Sequence, residues 1–138
     1  MSSLVRFSVS LEEELLRKFD DRIREKKYKN RSEALRDLIR EDLVEMEWQK
    51  NAKVAGTITL VYDHHKRGLV QKLITIQHAY HHIIISTQHI HLDQNNCLEV
   101  IIVQGRAHAL DQLTSRLNAV KGVKYGNLSM ATSGKELV

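Results

Sequence analysis

The chain has 138 residues, 42% of them hydrophobic and 28% charged, with a net charge of +4. That length suits one ordinary domain or two small ones, and the apolar fraction excludes wholesale disorder. A single cysteine excludes an intrachain disulfide framework, and no apolar run approaches the roughly 18 residues of a membrane span.

The charge is unevenly spread. Residues 1–50 carry 12 basic and 12 acidic side chains and no histidine. Residues 51–138 carry 9 basic and 5 acidic side chains, with all eight histidines, the cysteine and all six glycines. This shift predicts two domains, 1–48 and 54–131, with the boundary between Trp48 and Val54. The opening Met1-Ser2-Ser3-Leu4-Val5-Arg6 lacks the apolar stretch of a secretory signal, which predicts a cytoplasmic protein.

Leu4–Ser10 alternates, with Val5, Phe7 and Val9 on one face and Arg6, Ser8 and Ser10 on the other, the period of a strand. Ser10 and Glu13 have capping-box spacing, and Leu11, Leu15, Phe19 and Ile23 then recur every four residues as a helix stripe. A second helix starts at Asn30, with Glu33 three residues on and Ala34, Leu35, Leu38, Ile39, Leu43 and Met46 as its apolar face. A lone strand leaves its backbone groups unpaired, and about 45 residues bury too little core to stand alone. Two chains that pair their strands and interlock four helices remove both problems, so this half is expected to be an obligate dimer.

The second half alternates strand and helix: Val54–Tyr62, Leu69–Tyr80, Ile83–Leu92, Leu98–Gln104, Ala107–Val120 and Val123–Met130. The polar Asp93-Gln94-Asn95-Asn96 joins two of the strands as a hairpin, and Gly122 closes the second helix. The fold class is therefore α+β: an N-terminal strand–helix–helix unit and a C-terminal βαββαβ domain of ferredoxin-like plan.

Two constellations carry chemistry. A two-stranded ribbon fits the DNA major groove, and its polar face here offers Arg6, Ser8 and Ser10 twice over. The competing reading is an ordinary solvated strand face, and zero net charge in this half argues against strong affinity from charge alone. In the second half, His89 and His91 leave one face of a strand, and Cys97 opens the next strand across a short turn. Glu99 follows on the same face and can orient a ligating histidine. His78, at the end of the apolar helix, is a candidate fourth ligand. A thiolate with imidazoles suits zinc, copper or nickel, and spacing does not choose among them. His64, His65 and His108 read as plain surface. No nucleophile–His–Asp signature, phosphate-cradling glycine loop or carboxylate pair accompanies the cluster, so an enzyme is not expected.

The segments VRFSVSL and YKNRSEALRDLI resemble the ribbon-helix-helix family of DNA-binding regulators. With QHAYHHIIISTQHIHLDQNNCLEVIIVQG behind them, the chain from about Leu4 to Leu128 closely resembles the nickel-responsive repressors of the NikR family. The resemblance implies a homotetramer, a dimer of dimers with four ACT-type domains at its centre and ribbon-helix-helix dimers at its ends. It implies one Ni(2+) per chain, held square-planar by His89, His91 and Cys97 of one chain and His78 of the partner subunit. It implies double-stranded operator DNA as the partner, with Arg6, Ser8 and Ser10 at base-reading positions and serine at two places where the family often has threonine. Glu33 and Asp37 match positions that hold a second cation, and Lys66 and Arg67 match a loop that contacts the DNA backbone. The expected function is repression of nickel uptake genes when Ni(II) loads the core. The rivals are a regulator whose ACT-like domain senses an amino acid and a metal-storage protein with no DNA role.

Overall fold

The computed structural model describes residues 3–138. Met1 and Ser2, the first residues of the expected N-terminal domain, lie outside the described residues. The chain divides into two compact units: one ends at Leu43 and includes Glu136–Val138, and the other is Val44–Lys135. The division falls inside a helix, because Trp48 is buried in the core of the second unit and Val44 packs against that core.

The first unit holds helix α1 (Glu13–Glu25) and the start of α2 (Arg31–Gln49). Leu4–Ser10 forms no strand in the single chain. A ladder needs a second strand, and the described residues of this unit contain none. Val5, Phe7 and Val9 are accordingly 81%, 69% and 60% exposed. The expected Ser10 cap is also absent: α1 begins later, with extended Glu12 at its N-cap and no side-chain cap bond. Glu13 and Glu14 in the first turn supply the favourable charge there instead. α1 ends as a Schellman turn, with Lys27 left-handed at φ 61° and the Tyr28 N–H donating to the Ile23 carbonyl at 3.1 Å. Asn30 caps α2 as expected, its Oδ1 accepting from the Glu33 N–H at 3.0 Å.

The second unit is the βαββαβ domain. Strand β1 (Lys53–Asp63) leads through a loop to α3 (Leu69–Ala79), then β2 (Ile84–His91), β3 (Asn96–Arg106), α4 (Ala107–Asn118) and β4 (Val123–Met130). The sheet has the order β2-β3-β1-β4 with antiparallel neighbours throughout. Strict alternation on β1 sends Val54, Ile58, Leu60 and Tyr62 into the core with Ile101 and Val103 of β3. Leu69 and Leu73 of α3 and Leu110, Leu113 and Leu117 of α4 belong to the same core. Edge strand β2 is exposed along almost all its length. Leu110→Ala should cost about 2–5 kcal/mol, because Leu110 is fully buried and a close-packed core fills the cavity poorly. Denaturant unfolding should show it as a lower midpoint with an unchanged slope.

Candidate metal centre

The hairpin register builds the centre. His91 lies opposite Cys97 and His89 opposite Glu99 across β2 and β3, and Tyr62 lies opposite Cys97 across β1 and β3. Directly opposed residues share a sheet face, so His89, His91, Cys97, Glu99 and Tyr62 converge on one side. The Cys97 Sγ is fully buried and 3.4 Å from His91 Nδ1. The His89 and His91 rings are 5.1 Å apart, and His89 Nδ1 lies 3.2 Å from the Tyr62 hydroxyl.

His64 joins this group, although its position in the sequence reads as surface. Its Nδ1 is 3.1 Å from Cys97 Sγ, and the ligand atoms of His64, His91 and Cys97 all lie within 4.8 Å of one another. The pairing of Asp63 with Asn96 carries the end of β1 to the hairpin, and the His64 N–H donates to the Asn95 carbonyl at 3.2 Å. Nothing in the sequence points to it: the strand is expected to end at Tyr62, and its pairing with the strand that carries Cys97 appears only in the structure.

His78 is not in that group. It is exposed at the end of α3, where its carbonyl faces His81 Nδ1 at 2.9 Å. Glu99 is 8% exposed and accepts from Gln77 Nε2 on α3 at 3.1 Å. Burial raises the Glu99 carboxyl above its ordinary range, opposed by the Gln77 bond and the charge of His89. Burial likewise pushes the Cys97 thiol up, with Asp63, Asp93 and Glu99 adding to the shift. Tyr62 is pushed up to about 12, by burial first and then by Glu99 and Cys97. A metal ion bound at Cys97 would displace the thiol proton to solvent, because the thiolate is the ligand. One sulfur with several imidazoles is a donor set that fits Ni(II).

The remaining candidates lie elsewhere. Arg6, Ser8 and Ser10 are exposed on the N-terminal segment that precedes α1. Lys66 and Arg67 are exposed in the turn before α3, whose N-cap is Gly68 at φ 76°. Glu33 pairs with Arg36, while Asp37 accepts from the Tyr28 hydroxyl at 2.7 Å and lies 3.6 Å from Arg40. Among the described residues no helix is long and apolar enough to cross a membrane.

Comparison with known proteins agrees with this architecture. The family described as NikR C terminal nickel binding domain matches residues 55–131, and ribbon-helix-helix protein, copG family, matches residues 5–45. A protein of Syntrophus aciditrophicus is 51% identical over 135 residues, covering 98% of each chain. One of Pyrococcus abyssi is 53% identical over 136 residues, covering 98% of this chain and 99% of its own. One of Geobacter sulfurreducens is 52% identical over 138 residues, covering 99% of each. All three carry "nickel-responsive regulator" in their names. An uncharacterized protein from Thermotoga maritima superposes on 56% of this chain and 96% of its own with a TM-score of 0.52 at 13% identity, a likeness of fold alone. The chain belongs to the nickel-responsive regulators, transcriptional regulators rather than enzymes, which join a ribbon-helix-helix domain to a NikR-type nickel-binding domain.

Proposed function

We propose that the protein is a cytoplasmic repressor of nickel uptake genes that binds operator DNA when Ni(II) loads its C-terminal domain. The observation that carries this reading is the convergence of His89, His91 and the Cys97 thiol on one sheet face, with His91 Nδ1 and Cys97 Sγ 3.4 Å apart. His89, His91 and Cys97 hold one nickel per chain, with His78 of the partner subunit as fourth ligand. The exposed position of His78, away from its own chain's cluster, suits a ligand given to a neighbour. Bound Ni(II) supplies a fixed positive centre that keeps the thiolate deprotonated. Glu99 orients the β2 histidines and, through Gln77, ties α3 to the same face.

The working form is a homotetramer. Residues 1–48 pair as ribbon-helix-helix dimers, and residues 54–131 form the metal-binding and tetramerisation core. In the paired ribbon Arg6, Ser8 and Ser10 face the bases, while Lys66 and Arg67 contact phosphates. Glu33 and Asp37 hold a second cation when DNA is bound. By linkage, nickel that tightens operator binding is itself bound more tightly in the presence of operator.

The test is a gel shift with operator DNA, run with Ni(II) and with a chelator, beside an absorbance titration with Ni(II). Tight binding only with nickel, and a sulfur-to-nickel charge-transfer band saturating at one ion per chain, are expected. Equal affinity with chelator would overturn the reading. Arg6→Ala should cost about 1–3 kcal/mol in operator affinity and relax sequence preference, with nickel binding unchanged. Competition binding with operator variants checks it.

A further inference from the structure

We propose that Asp93 and Asn96 are positioning residues of the nickel centre. They lock the tip of the β2–β3 hairpin and so fix the separation of His91 and Cys97 before the metal arrives. The proposal rests on the reading of His91 and Cys97 as nickel ligands.

The two donors leave opposite strands of one hairpin. His91 is the last residue of β2, and Cys97 is the second of β3. The tip between them, residues 92–96, therefore sets how far apart the imidazole and the sulfur sit. Within the chain β2 is the edge strand, with β3 as its one neighbour in the sheet. The position of His91 relative to Cys97 thus depends on a single ladder and on the turn that closes it.

Short hairpin turns are most often fixed by a glycine or asparagine at positive φ. This tip has no glycine, and none of its residues has a positive φ. Side-chain bonds hold it instead. Asp93 Oδ1 accepts from the Asn95 N–H at 2.8 Å and from the Asn96 N–H at 2.7 Å. In this arrangement a carboxylate oxygen stands in for a backbone acceptor. Asn96 Nδ2 donates to Asp93 Oδ2 at 3.0 Å, and Asn96 Oδ1 accepts from Lys124 Nζ on β4 at 2.6 Å. The backbone adds one good bond, from the Leu92 N–H to the Asn96 carbonyl at 2.9 Å, and a long one from the Asp93 N–H at 3.4 Å. Asp93 is thus the hub of the tip, and Asn96 joins that hub to β4 next to the ligand Cys97.

The consequence is preorganisation. A locked tip meets the ordering cost of the two donors on folding rather than on metal binding. Without the lock the tip samples other conformations, and the apparent nickel affinity falls by the fraction of time the donors are correctly placed. The carboxylate acts through the turn and not on the metal.

The full-length protein and its Asp93→Ala, Asp93→Asn, Asn96→Ala and Leu110→Ala variants are titrated with Ni(II) against a competing chelator. The thiolate-to-nickel charge-transfer band is the readout, beside thermal unfolding without metal. Asp93→Ala should weaken nickel by about 10–100-fold, the range for groups that orient a ligand from outside the coordination sphere. At saturation its band should stand at the original wavelength, because the ligand set is unchanged. Asn96→Ala should weaken nickel in the same direction. Asparagine keeps an oxygen that accepts from both tip N–H groups, so Asp93→Asn should bind nickel nearly as tightly as the unsubstituted protein. Leu110→Ala separates position from stability: it should unfold at a lower temperature than Asp93→Ala and keep its nickel affinity. Unchanged affinity in Asp93→Ala would overturn the proposal. So would an equal loss in Asp93→Asn, which marks the charge rather than the turn, or a shifted band in saturated Asp93→Ala, which marks a metal ligand. An affinity that simply follows the unfolding temperature across the variants would overturn it as well. Absence of any charge-transfer band in the unsubstituted protein would overturn the nickel reading and this proposal with it, whereas the other adverse outcomes leave that reading standing.

Discussion

Mixed His78→Ala and Cys97→Ser subunits should regain nickel sites that neither variant forms alone. Cys97 is the chain's single thiol, so Cys97→Ser removes every sulfur-to-nickel charge-transfer band and with it most of the nickel affinity. The fold should survive, because serine at the start of β3 changes little volume. His78→Ala leaves His89, His91 and Cys97 in place but takes away the ligand that the proposed site draws from a neighbour. When subunits exchange, a His78→Ala chain supplies an intact His89–His91–Cys97 set and a Cys97→Ser chain supplies an intact His78. Random pairing in a symmetric oligomer then restores about a quarter of the sites. Charge-transfer absorbance and equilibrium dialysis on the mixture read that fraction directly. Proven subunit exchange with no recovered band would show that the four ligands are not divided between chains, and would leave His64 as the remaining histidine contact of the sulfur.

The two halves of the centre differed in how far the sequence exposed them. His89 and His91 are two apart on a strand, and Cys97 opens the strand that a short polar turn must pair with it. Period-two alternation and hairpin closure are local rules, so the His91–Cys97 contact followed from them. His64 depends on a pairing between β1 and β3 in which Asp63 meets Asn96, more than thirty residues away. No local pattern reports that register, so His64 looked like surface. The same limit explains the start of α1. Ser10 and Glu13 have the spacing of a capping box, but a cap also needs its first residue at the helix boundary, and the helix begins only after an extended Glu12. The sheet domain was the more legible part, since its strands find their partners within one chain. The N-terminal strand finds none there, and its alternation describes a surface rather than a completed element.

Val9→Asp should dismantle the N-terminal assembly, and Ser8→Ala should not. Val5, Phe7 and Val9 form an apolar row that is more than half exposed in the single chain, and Leu15 of α1 is 50% exposed beside them in sequence. Apolar surface of this extent on a small unit is stable only if something covers it. A second copy of Leu4–Ser10 supplies both the missing ladder hydrogen bonds and the cover. An aspartate at position 9 would sit inside that interface, where an unpaired buried carboxylate costs several kcal/mol. Two-fold symmetry places the charge there twice, one from each chain. The expected outcome is a protein that still binds nickel through its C-terminal domain but loses operator affinity by a factor on the order of a thousand or more, since each 1.4 kcal/mol is tenfold. Sedimentation should show a looser or smaller assembly, and thermal unfolding should show an early transition confined to α1 and the start of α2, since Val44 and Trp48 belong to the second unit. Ser8 alternates to the opposite, polar face. Ser8→Ala should therefore leave sedimentation and unfolding unchanged and weaken only the operator complex. If Val9→Asp keeps full operator affinity and the unsubstituted protein's assembly, the apolar row is not a chain–chain interface. The N-terminal segment would then be reading DNA, if at all, as a single strand.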